Sequence, residues 1–111
     1  MKFGQVVVVK FPFSDLENTK KRPALVLKVI PYTSKLSLLQ IAMITSKIDS
    51  PEINGDYLLK DWAQSRLLHP SKLRLSKICT IEGELVQIEL GALSKADKAQ
   101  ITKLLKARSE E

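Results

Sequence analysis

Hydrophobic positions along the chain gather into short compact runs separated by polar or turn-forming breaks. QVVVVKF at 5–11 is β-branched and reads as a strand, with Pro12 forbidding regular ladder pairing beyond it. The polar stretch SDLENTKK follows, and PALVLKVI at 23–30 is a second strand, with Pro23 tolerated at its first residue and Pro31 ending it. The run from Leu36 to Ile44, LSLLQIAMI, has the length and apolar content of a third strand, although periodicity alone also admits a short buried helix.

The pattern changes in the second half. SKIDSPEINGD at 46–56 is polar, carries Pro51 and the Asn54-Gly55 turn pair, and reads as a long loop. LLKDWAQS at 58–65 predicts a short helix lodging Trp62, followed by two extended segments, RLLHP and SKLRLSKICTIE. In the second of these, strict alternation puts Leu73, Leu75, Lys77 and Cys79 on one face and Arg74, Ser76, Ile78 and Thr80 on the other. Glu82-Gly83 is a turn, LVQIEL at 85–90 is a last strand, and Gly91 ends it. Ser94 followed three residues later by Asp97 is a helix-start signal, and Ile101, Leu104, Leu105 and Arg108 recur at helical spacing over about 94–108. Five or six short strands, one terminal helix and no alternating βαβ rhythm predict a mostly β fold, a small antiparallel barrel with a C-terminal α-helix. The 111 residues fit a single domain, 1–111, with no internal repeat, low-complexity tract or linker.

Charge narrows the partners. Eighteen Lys and Arg against twelve Asp and Glu give +6, which favours nucleic acid or an acidic protein segment if the charge is concentrated on one face, ahead of the alternative that it serves solubility alone. Cys79 is the only cysteine and His69 the only histidine, so neither an internal disulfide nor a structural zinc spacing can be written. No metal or cofactor is expected. The apolar run Val6 to Val9 is too short for a signal-peptide core, and nothing approaches a membrane span, which points to the cytoplasm.

Several residues could carry chemistry. In KKRP, Pro23 pushes Arg22 into extended geometry where the loop enters the strand, so that a fixed fork of donors stands at the rim beside Lys20 and Lys21. Such a fork suits a phosphate; the alternative is a surface arginine paired with Asp15 or Glu17. Thr45 and Ser46 end a strand, where their hydroxyls either start a turn or donate to a phosphate beside Arg22. His69 has the one imidazole available for acid/base work, but no nearby nucleophile or orienter marks it as more than a rim residue. Cys79 reads as a small core residue.

Taken in order, GQVVVVKFPF, KKRPALVL, MITS, DWAQSRLLHPSKLRLSKICTIE and LGALS resemble the MazF/PemK-like mRNA interferase toxins over roughly residues 3 to 95. The resemblance implies an SH3-like barrel that forms a homodimer and cleaves single-stranded RNA without metal, through the adjacent 2′-hydroxyl. It also implies an acidic, largely disordered antitoxin covering the RNA groove. Arg22 matches the family's catalytic arginine, Thr45 its catalytic threonine, Ser46 a phosphate or base contact, and Arg74 a second arginine that serves as general acid or phosphate ligand. Ser76 stands where several members carry a carboxylate general base, and Gln5 where an acidic residue commonly follows the first glycine. Either another group, such as His69 or Asp49, takes the proton, or the rate rests on charge stabilisation and positioning. A non-catalytic member that binds RNA or antitoxin on the same barrel is the alternative that Ser76 sustains.

Overall fold

The computed structural model describes residues 1–10, 21–49 and 55–109. Six strands form one antiparallel sheet: β1 (Gln5–Lys10), β2 (Lys21–Pro31), β3 (Ser37–Thr45), β4 (Asp56–Leu58), β5 (Lys72–Glu82) and β6 (Val86–Ala92). Their order across the sheet is β4-β5-β3-β2-β1-β6. A 3₁₀ turn at Gly83–Leu85 links β5 to β6, and the helix α1 (Lys95–Ser109) closes the chain. The mostly β, antiparallel architecture with one C-terminal helix is the one the sequence predicts.

Both faces of the sheet are buried, which explains why its central strands read as unbroken apolar runs. Val6, Leu25, Ala42, Ile44, Leu73 and Leu75 pack in one cluster together with Ile101 of α1. Val7, Val9, Ala24, Val26, Ile41 and Ile81 pack in the other. Alternate residues of β1, β2 and β3 thus serve opposite cores.

Five expectations are corrected. β2 begins at Lys21, two residues before Pro23, and Lys21 and Arg22 pair with Lys10 and Val9 of β1. β6 runs through Gly91 to Ala92, because Gly91 still pairs with Val6. Asp56, assigned to the long loop, opens the short strand β4 on the outer edge of β5.

The fourth correction concerns residues 58–71. No helix forms; a single turn has Ser65 N–H donating to the Asp61 carbonyl at 3.2 Å and closes when Arg66 N–H donates to Ala63 and Leu67 N–H to Trp62. This is the paired hydrogen-bond pattern that ends helices, with its left-handed position, usually glycine, taken by Arg66 at φ 66°.

Strict alternation along β5 also fails. Ala42 lies opposite Ile78, but the next residue, Met43, lies opposite Arg74, so a bulge leaves residues 75–77 without partners on β3. Leu73, Leu75 and Ile78 therefore share one core, and Cys79 and Ile81 the other. Pro12, Asp15, Glu17 and Lys20 lie outside the described residues.

Candidate functional site

The ends of β2 and β3 and the segment before β5 surround a groove of about 610 Å³, within the ~300–1,000 Å³ usual for ligand pockets. Its apolar floor includes Val8, Pro23, Ile44, Leu67 and Leu90. Its rim carries Lys21, Arg22, Lys47 and Arg66 beside Thr45, Ser46, His69 and Ser71. Among the described residues no carboxylate lines it, so the groove concentrates positive charge over an apolar surface.

Strand register explains the convergence of Arg22 and Thr45. Ala24 lies opposite Met43, and continuing that register by two residues brings Arg22 level with Thr45. On its other side Thr45 lies opposite Lys72. The Thr45 Oγ1 accepts a hydrogen bond from Lys47 N–H at 3.1 Å, so the hydroxyl does start a turn. That bond uses an oxygen lone pair and leaves the hydroxyl proton for an acceptor in the groove.

His69 reaches the same groove from the segment before β5. Its carbonyl accepts the Ser71 hydroxyl at 2.8 Å, which holds the backbone around Pro70 while the imidazole side of the residue stays exposed. Leu68, 86% exposed, stands next to it on the rim.

Three of the expected site residues, Arg74, Ser76 and Asp49, lie elsewhere. Arg74 is opposite Met43, on the face Thr45 shares, but is not part of the groove lining; its Nε sits 3.9 Å from Asp56 Oδ1. Lys72 Nζ is 3.3 Å from the other oxygen of the same carboxylate. Ser76 lies in the β5 bulge, exposed and away from the lining residues, and Asp49 is likewise exposed beyond the end of β3. Cys79 is half-buried against the second core, and burial pushes its thiol pKa up, as befits a packing residue. Among the described residues no three His, Cys, Asp or Glu side chains gather as a metal would require.

Sequence reasoning missed Lys47 and Arg66 as rim cations. Lys47 directly follows the Thr45-Ser46 pair and was within reach of the motif; Arg66 owes its place to a left-handed turn that its residue type does not announce. A second cavity, about 360 Å³ beside Tyr32 and Leu36, carries Glu82 and Glu84 as well as Lys35 and lacks the cluster of basic side chains that a polyanion needs.

Comparison with known proteins shows the family and the fold. The profile of the PemK-like, MazF-like toxins of type II toxin-antitoxin systems matches residues 2–108. No curated protein sequence matches the chain. Among solved structures, an endoribonuclease in complex with its cognate antitoxin from Mycobacterial species superimposes with a TM-score of 0.70 at 14% identity, over 96% of this chain and 92% of that one. At that identity the likeness is one of fold.

Proposed function

Since the chain belongs to the PemK/MazF-like family of endoribonuclease toxins of type II toxin–antitoxin systems, we propose that its groove binds single-stranded RNA and cuts it without a metal ion. The 2′-oxygen attacks the adjacent phosphorus, the bond to the 5′-oxygen breaks, and the products are a 2′,3′-cyclic phosphate and a 5′-hydroxyl end. Arg22 and the Thr45 hydroxyl stabilise the negative charge that builds on the phosphoryl oxygens. Ser46 and Lys21 hold the flanking backbone, with Lys20 as its sequence neighbour, while Arg74, outside the groove lining and beside Asp56, meets a phosphate only where the RNA runs beyond the groove.

The general base in this reading is His69. It lines the groove with Arg22 and Thr45, whereas Ser76 and Asp49 do not, and an imidazole has a nitrogen that can take a proton and return it. The leaving 5′-oxygen then recovers a proton from the imidazolium or from water. The convergence of Arg22, Thr45 and His69 on one cationic groove that no carboxylate lines among the described residues carries the proposal.

The same charge supports an acidic antitoxin segment as the competing occupant, and the protein acts as a homodimer in the cytoplasm, as its family does. Among the described residues no helix is long and apolar enough to cross a membrane.

The test is Arg22→Ala on an all-RNA single strand, with a 2′-deoxy control at the scissile position. Cleavage falls by roughly 10²–10³-fold, as when one donor to a developing oxyanion is lost. Stability changes by less than about 1 kcal/mol, because the residue sits at the rim of the sheet. Wild-type cleavage by a folded Arg22→Ala protein, or cutting of the 2′-deoxy strand, refutes the assignment.

A further inference from the structure

The most deeply buried charge among the described residues lies outside the groove. Asp97, in the first turn of α1, is 0% exposed, and its carboxylate accepts three hydrogen bonds. Oδ1 accepts Tyr57 Oη at 2.6 Å and Lys60 N–H at 3.0 Å, and Oδ2 accepts Asp61 N–H at 2.9 Å. Its own N–H donates to Ser94 Oγ at 3.1 Å, the helix cap. All of these partners are neutral, and the helix N-terminus adds partial positive charge.

A helix cap needs only the Ser94 bond. The acidic side chain instead turns away from its own helix, to β4 and to two backbone amides of the segment that follows. Burying a carboxylate costs several kcal/mol unless its lone pairs are filled, and here they are filled by the amides of a loop that has no strand ladder of its own.

That loop is residues 60–70. Leu59 N–H donates to the Ser71 carbonyl at 3.0 Å and ties its neck, while the Asp97 carboxylate fixes the first two residues beyond it. The chain then makes the turn at Asp61–Leu67, buries Leu67 and delivers Arg66, Leu68 and His69 to the groove. Leu67 and Trp62 pack it against the core below, and Gly91 of β6 approaches it closely, since an added Cβ there would lie 2.8 Å from the Ser65 carbonyl oxygen.

We infer that Asp97 is a positioning residue for the groove: by holding the Lys60 and Asp61 amides it sets the 60–70 loop, and through that loop the place of His69. The functional half of this inference rests on the endoribonuclease reading above. Burial first, and then the bond to Asp97, raise the Tyr57 pKa well above its usual value, so the phenol stays a donor throughout the range in which the protein works. Tyr57 thereby ties β4 to the same carboxylate.

The experiment combines Asp97→Asn, Tyr57→Phe and His69→Gln. Asparagine keeps one acceptor but sets an NH₂ against the Asp61 or Lys60 amide. Hydrogen exchange at residues 60–67 accelerates roughly tenfold or more in Asp97→Asn, while the amides around Ile101 keep their wild-type protection. Single-turnover RNA cleavage falls by about tenfold or more, as expected when a catalytic group is misplaced. In the His69→Gln background the same change costs less than about twofold, because the group it places is already gone.

Equal fold-losses in the two backgrounds, or unchanged exchange at 60–67, overturn the inference. Should Asp97→Asn not fold, Tyr57→Phe, which removes one donor and leaves the ring in the core, gives the same pattern at smaller amplitude; loss of protection spread evenly over the chain counts against it. If the wild-type protein cuts no RNA, the endoribonuclease reading fails alone, and the exchange data still decide whether Asp97 anchors the loop.

Discussion

Gly91→Ala isolates the contact between β6 and the groove-bearing loop. An ideal Cβ at Gly91 would lie 2.8 Å from the Ser65 carbonyl oxygen and 3.2 Å from both the Ser65 carbonyl carbon and Arg66 Cγ. Ordinary contact begins at roughly 3.4 Å, so the Ser65 backbone must retreat by about 0.6 Å. It is poorly able to do so. Ser65 N–H and Oγ both hold the Asp61 carbonyl, and Leu67, two residues on, is buried. Overpacking of this kind costs about 1–3 kcal/mol. Against it, Gly→Ala at a position without positive φ removes freedom from the unfolded chain, worth about 0.4–1 kcal/mol. At the midpoints of the two ranges the net expectation is destabilisation by about 1.3 kcal/mol. Urea unfolding followed by the fluorescence of Trp62, the only tryptophan, measures it three residues from the clash. Gly83→Ala is the control, since its nearest neighbour, at 3.1 Å, is the rotatable Ser37 hydroxyl, and it should cost less. A Gly91→Ala protein as stable as wild type, or more so, would show that the loop yields and does not brace β6.

Two further outcomes are expected. RNA cleavage persists in EDTA, and binding weakens steeply with salt; Lys21→Ala and Lys47→Ala each lower the slope of log K against log salt by about 0.7, and a zero slope in the wild type refutes the phosphate reading. At alkaline pH, stability falls once the unfolded chain's tyrosines ionise above about pH 10, because folded Tyr57 holds its proton to higher pH and only the unfolded state gains by losing it. Tyr57→Phe removes that component, so an identical alkaline profile in both proteins refutes the buried phenol–carboxylate bond.

The strands were legible because a sheet buried on both faces writes its central strands as runs such as VVVV and ALVL, which need no partner to be recognised. Arg22 and Thr45 were legible for a related reason: each ends such a run, and strands consecutive in sequence are neighbours in the sheet. What escaped was set by tertiary context. Residues 58–65 have helical composition, yet the stretch stops after one turn so that Leu67 can enter the core, with Arg66 in a backbone region its side chain disfavours. Asp97 announced its capping position but not the direction of its carboxylate, which depends on two amides about 36 residues earlier. Arg74 and Ser76 sit two apart on what reads as a regular strand, and nothing in their residue types reports the bulge between Arg74 and Ile78 that separates them.

That bulge places a parity rule on the length of β5. One step along β3, from Ala42 to Met43, corresponds to four along β5, from Ile78 to Arg74, an excess of three residues. An odd excess exchanges the two faces, which is how Leu73 and Ile81, eight apart and of one parity, come to serve different cores. Removing a single residue from 75–77 leaves an even excess and turns either Leu73 or Ile81 away from its core, whereas removing two leaves the ordinary one-residue bulge and both cores intact. Length changes in this strand are therefore tolerated in pairs, and natural or engineered variants of the chain should differ here by two residues far more readily than by one.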